Sequence, residues 1–186
     1  SVAASVVALR LLSRATSQLG TLMMIRQFQC LVTGDVVSSL SASAFLGVPF
    51  LVRGGYIPTS ATRELNVFCT VSIFLSSAGF FTSSTMAVHL SLSLLAVLCR
   101  SARALNVLFR SLLFVWPTGL LLATLHHFVV GMHWSREEES CMLEHDVVFM
   151  VYEPLCLLIC GSCYSACYLR VRFVQDVGLS VQKKIW

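Results

Sequence analysis

Residues 67–98 read VFCTVSIFLSSAGFFTSSTMAVHLSLSLLAVL, and from Leu65 to Cys99 the only ionisable side chains are His89 and the cysteines. A helix in water keeps a charged face turned to solvent. This one has none to turn. About 20 residues, rising ~1.5 Å each, cross a hydrocarbon core, so the stretch exceeds one crossing and must tilt or project from one face. Working outward, residues 31–52, 111–130 and 147–169 are apolar over comparable lengths. The 186-residue chain is 56% hydrophobic and only 12% charged, and its mean hydropathy is +0.81, values beyond an ordinary soluble domain. The sequence therefore predicts an all-α, polytopic transmembrane helical bundle of four spans. To this it adds an N-terminal amphipathic or fifth membrane helix.

Charge orients the bundle. Arg10, Arg14 and Arg26 precede the first span, and Arg100, Arg103 and Arg110 separate the second from the third with no acid among them. Arg170, Arg172, Lys183 and Lys184 follow the fourth. With four spans these groups share one side, which the positive-inside rule makes cytosolic or, in a mitochondrion, the matrix. The acidic loop with Arg136, Glu137, Glu138, Glu139, Glu144 and Asp146 falls on the other side, as does the short 53–64 loop. The net charge of +4 is scattered over span ends rather than gathered in a stripe with interleaved aromatics. It is no nucleic-acid signal.

Three units are expected along the chain: a basic N-terminal segment (residues 1–30), the bundle (31–170) and a basic tail (171–186). In the first, Arg10, Arg14, Gln18 and Thr21 recur at helical spacing beside Val6, Leu9 and Leu12, which suits an amphipathic helix. Three arrangements are open. The segment lies flat at the inner interface, or crosses with its arginines buried against protein, or is the remnant of an Arg- and Ser-rich, acid-poor mitochondrial transit sequence.

Within the bundle, small residues recur every four positions. Asp35, Ser39, Ser43 and Gly47 do so in the first span, Ser72, Ser76, Gly79 and Ser83 in or near that register in the second, and Gly119, Ala123, His127 and Gly131 in the third. Such stripes let helix backbones approach closely in lipid. Pro49, Pro117 and Pro154 lie inside or at the end of spans, where they favour kinks.

Several polar groups sit at membrane depth. Glu153 lies about seven residues into the fourth span, level with His126 and His127, so a buried pair of Glu153 with His127 or His126 is expected. A proton relay through that pair is the corresponding transport reading. Asp35 is an intramembrane acid near the inner end of the first span, with Arg26 or His89 as candidate partners. His89 lies nearer the inner face than His126 and His127, which argues against bis-histidine haem ligation. Cys69 opens the second span and Cys141 lies in the acidic loop, so both are on the outer side. A disulfide forms there if that compartment is oxidising. Cys156, Cys160, Cys163 and Cys167 form a stripe on an apolar helix, where cysteines act as small packing residues rather than metal ligands. No phosphate loop, zinc-binding His-Glu motif or nucleophile elbow is present in the sequence, so no enzyme activity, cofactor or metal is expected.

Part of this pattern resembles the cyclic-AMP-receptor-like G-protein-coupled receptors. Asp35 falls where the second receptor helix often carries an acid, and Cys69 opens a helix closed by Arg100. Cys141 lies in the loop after the helix bearing Trp116-Pro117, and Tyr152-Glu153-Pro154 resembles the proline-bearing fifth helix. The resemblance implies that residues 1–20 include the end of the first helix, that Cys69–Cys141 is the outer disulfide, and that the chain is a truncated seven-helix receptor-like protein.

Residues alone lead instead to a non-catalytic integral membrane subunit within a larger complex. The small-residue faces, short loops and missing site chemistry support it. The basic, acid-free N-terminus tilts localisation to the mitochondrial inner membrane, and so to an accessory subunit of a respiratory or ATP-synthase assembly, with the plasma membrane as the alternative. Expected partners are the lipid bilayer and other membrane subunits. No small-molecule ligand is indicated by sequence.

Overall fold

A computed structural model describes residues 19–58, 61–99, 101–130, 132–135, 140–143 and 147–185. The helices are α1 (Leu19–Arg53), α2 (Thr62–Leu98), α3 (Ala102–Ser111), α4 (Val115–Val129) and α5 (Val147–Ile185), and a 3-10 turn (Leu112–Phe114) joins α3 to α4. Among the described residues, four segments are long and apolar enough to cross a membrane: Met23–Arg53, Thr62–Leu98, Ala102–Val129 and Val147–Phe173. The chain is an integral membrane protein of all-α architecture.

The helix ends depart from hydropathy. The first helix begins at Leu19 and runs without a break through residue 30, so residues 19–30 are its inner turns and not a separate unit. The rest of the N-terminal segment lies outside the described residues. Likewise α5 continues to Ile185, so the basic tail is helical. Hydropathy marks where lipid ends, whereas helical hydrogen bonding continues past it into the interface. Pro49 and Pro154 lie inside α1 and α5. Pro117 falls in the first turn of α4, where its missing N–H has no intrahelical acceptor to lose.

Between α1 and α2 the chain turns at Gly55, whose φ of 75° favours glycine. Its N–H donates to Val52 O at 3.0 Å, beside Gly54 N–H to Phe50 O at 2.9 Å. On the opposite side Ser101 caps α3, its Oγ accepting from the Ala104 N–H at 3.3 Å.

Among the described residues, the other four α-helices all pack on α2. Against α1 the contact is backbone on backbone. A Cβ placed on Gly79 would lie 2.5 Å from Gly34 O and 2.6 Å from Ser38 N. The α1 face that meets α2 is thus Gly34–Ser38, one residue round from the expected stripe. Asp35, Ser39 and Ser43 are exposed, and a Cβ on Gly47 would touch nothing. The third-span stripe turns as well: Gly119 and Ala123 are buried and pack on Thr82 and Phe81 of α2. The next buried position of that helix is His126, with His127 only half-buried.

Some hydroxyls without a side-chain partner bond their own helix. Thr33, Ser43, Thr124 and Ser162 each donate to the carbonyl four residues back at 2.7–2.8 Å, which satisfies them where lipid offers no acceptor.

One feature was invisible to hydropathy. Met132–Ser135 and Ser140–Leu143 pair as an antiparallel hairpin, with Trp134 opposite Cys141. Trp134 and Cys141 join Val48, Val52, Leu65 and Cys69 in a buried cluster at the outer ends of α1 and α2. The Trp134 N–H donates to Asn66 Oδ1 at 2.6 Å.

Candidate functional site

The outer half of the bundle holds a cavity of about 170 Å³ lined by Ala42, Phe45, Ile73, Ser76, Ser77, His126 and Phe149. It lies between α1, α2, α4 and α5. Ile73 and Ser77 are one and two turns below Cys69 on α2, which puts the cavity roughly 6–12 Å beneath the outer end of that helix. Its walls are mostly apolar.

His126 is its main polar group and is 1% exposed. Its Nδ1 lies 3.1 Å from Ser77 Oγ, so the hydroxyl and ring share one proton-bearing contact. Phe149 at 5.0 Å and Phe81 at 5.9 Å meet the imidazole edge-on. Tyr152 packs beside this group: its ring stands at 86° to Phe81, and its hydroxyl is 2.7 Å from Thr85 Oγ1. Thr85 in turn donates to Phe81 O at 2.7 Å, which leaves the Tyr152 O–H as the donor to Thr85. A volume near 150 Å³ accommodates a benzene-sized molecule, and a few convergent polar groups on an apolar wall are what an orienting site supplies.

The outer ends of α2 and the hairpin are covalently joined. Cys69 and Cys141 form a disulfide with Cα atoms 5.9 Å apart, across 72 residues of sequence. The hairpin is thereby held at the end of α2, above the cavity. A second, open groove of about 510 Å³ runs along the outer flank of α2, lined by Arg63, Glu64, Val67, Phe68 and Val71.

Glu153 is not brought to either histidine. It is exposed on α5, and among the described residues it has no hydrogen bond or ion pair. Tyr152 takes the inward position on that turn, and a step of ~100° per residue carries Glu153 to the flank. His127 instead meets Phe74 edge-on at 6.5 Å, and its buried Nδ1 has no partner among the described residues. Equal height did not mean equal azimuth, and the expected Glu153–His127 pair is corrected accordingly.

Asp35 also has a different partner from those expected. Its Oδ1 accepts from the Ser83 hydroxyl of α2, one turn from the Gly34–Gly79 crossing. The close approach of the two backbones brings that hydroxyl within reach, whereas Arg26 is exposed more than two turns away.

His89 belongs to a separate, inner network. Gln27 Nε2 donates to His89 Nδ1 at 2.8 Å and to Ser93 Oγ at 2.7 Å. With Nδ1 accepting, the proton of the neutral ring is on Nε2, which donates to Leu108 O at 2.8 Å, with Ser111 Oγ at 2.9 Å. Three elements are braced by one imidazole: α1, α2 and the α3–α4 junction. Sequence reasoning passed over Gln27, although an amide among apolar neighbours at membrane depth is itself a signal. It also missed Ser77 and Tyr152, ordinary residues that become notable only once their neighbours are known.

The cysteine stripe of α5 faces the bundle, with Cys163 and Cys167 buried. No group of three metal-ligating side chains is found among the described residues. No protein-family model and no curated protein matches this chain in sequence.

Proposed function

We propose that this chain is a receptor-like membrane bundle that takes a small, largely apolar ligand in the cavity between α1, α2, α4 and α5. The observation that carries the reading is the Cys69–Cys141 tie. It fastens the loop between the third and fourth spans to the outer end of the second, as in the G-protein-coupled receptors that the sequence resembles. Beneath it, Ser77 and His126 supply a polar edge, and Phe45, Ile73 and Phe149 supply apolar walls. The reading is non-catalytic: the ligand is held and sensed, not converted.

A disulfide on the acidic-loop side is best housed where that side is oxidising. A plasma membrane or other secretory-pathway membrane satisfies this with the arginines in the cytosol. It is therefore preferred here to the mitochondrial inner membrane.

The native transcript downstream of Trp186 tests the proposal. Two further apolar spans are expected. A transcript without them, from a protein that migrates in mild detergent only with other membrane subunits, would overturn the receptor reading. It would favour the second one, an accessory subunit of a larger membrane complex. That alternative is supported by α5, which leaves Leu157, Leu158 and Leu169 more than 60% exposed, an apolar surface suited to another protein helix as well as to lipid.

A further inference from the structure

The third span begins with a helix unlike the others. In α3 no residue is buried, yet its sides differ sharply. Leu105, Leu108 and Ser111 are partly covered by the bundle, whereas Arg103, Asn106 and Arg110 are exposed. At ~100° per residue these three fall within a ~60° sector. Phe109 and Leu113 flank that sector on one side and Phe114 on the other, being 40%, 78% and 66% exposed. The result is a polar, cationic stripe with apolar side chains along both edges, on the segment that continues directly into a membrane span.

Neither arginine has a carboxylate partner among the described residues, and the sequence from Leu65 to Val130 contains no acid at all. A guanidinium has five N–H donors in a planar fork that matches phosphate oxygens bidentately. Held at a span end, Arg103 meets phosphates at the headgroup level and Arg110, about two turns deeper, extends up to them, while Leu113 and Phe114 reach the acyl boundary below. An acidic protein surface would answer the charge but would leave those apolar edges in contact with polar groups. Lipid answers both.

We propose that this outward face of α3 is a binding site for anionic phospholipids of the arginine-side leaflet, with Arg103 and Arg110 on phosphate oxygens and the Asn106 amide as a further donor. Basic residues near an anionic membrane surface contribute about fivefold each in affinity, so removing both arginines should weaken retention about 25-fold. The site is independent of the cavity ligand and of the receptor reading.

The test uses the full chain in nanodiscs of phosphatidylcholine alone or doped with phosphatidylinositol 4,5-bisphosphate. Retained lipid is counted by native mass spectrometry and the thermal midpoint is read in parallel. Expected are selective retention and a raised midpoint with the anionic lipid, both lost in Arg103→Gln/Arg110→Gln and largely kept in Arg103→Lys/Arg110→Lys. Each variant is referred to its own midpoint in phosphatidylcholine, so a change in basal stability does not enter the comparison. Equal retention by the glutamine variant would overturn the proposal. So would equal stabilisation by inorganic phosphate or by a soluble acidic peptide at the same concentration, since these would mark an anion or protein site rather than a lipid one.

Discussion

Helix α2 meets α1 and α5 in opposite ways. Against α1 the two backbones touch at Gly34 and Gly79, and polar side chains bridge them at that crossing and inward of it, Ser83 to Asp35 and Gln27 to His89. Against α5 the contact is made by side-chain ends, with Phe81 tilted against Phe149 at 5.1 Å and Tyr152 bonded to Thr85. Half of the residues in the apolar window of α2 are buried, compared with 6% for α5. Lipid tails are as apolar as leucine, so membrane helices associate through close packing and hydrogen bonds rather than apolar burial. The α1–α2 contact uses both devices at the backbone level and is rigid. The α2–α5 contact uses longer, rotatable groups and can be adjusted.

The largest expected effect comes from the crossing itself. In Gly79→Val the new side chain meets Gly34 O and the Ser38 backbone, neither of which can rotate away, so a destabilisation on the order of 3 kcal/mol is expected. Unfolding in mild detergent, followed by circular dichroism against denaturant, reads it directly. A wild-type midpoint would show that the two helices do not need this approach.

Next is the inner brace. His89→Leu removes one of the two acceptors of the Gln27 amide and one of the donors to Leu108 O, which keep Ser93 Oγ and Ser111 Oγ as partners, and the lost buried hydrogen bonds cost about 2 kcal/mol. Replacing both ends with apolar groups is nearly neutral when shape is kept, so Gln27→Leu/His89→Leu should recover part of that loss. If the double variant is no better than the single one, the network is not a mutually satisfied pair.

On the α5 side, Tyr152→Phe removes the hydroxyl's contacts with Thr85 and Phe81 O and keeps the ring against Phe81. About 1 kcal/mol is expected, well below the glycine substitution. A loss as large as that of Gly79→Val would break the contrast between the two interfaces.

These contrasts also show which parts of the structure could be read from sequence. Height was legible: the arginine and acid clusters order the loops, and they put Cys69 with Cys141 on one side and His89 on the other. Rotation about each helix axis was not. Two overlapping small-residue stripes run along α1, Asp35–Ser39–Ser43 and Gly34–Ser38, and composition does not say which meets α2. The same ambiguity paired Glu153 with histidines at its own level, although Tyr152 takes the inward place. The hairpin escaped notice because four-residue strands beside charged residues carry no usable alternation. Its place in the fold comes from long-range partners: Asn66, Cys69 and the outer end of α1.

The smallest effect bears on what lies beyond α5. Leu158 points away from α2 and is 68% exposed, so Leu158→Ala in the purified chain removes contact with detergent only. A change within about 0.5 kcal/mol is expected. A leucine facing lipid in the cell would behave the same way there. A leucine covered by a further protein helix would lose packing contacts as well, and the variant would then be less stable in native membranes than in detergent relative to wild type. Measuring both midpoints therefore separates a face that belongs to the bilayer from one covered by a further protein helix.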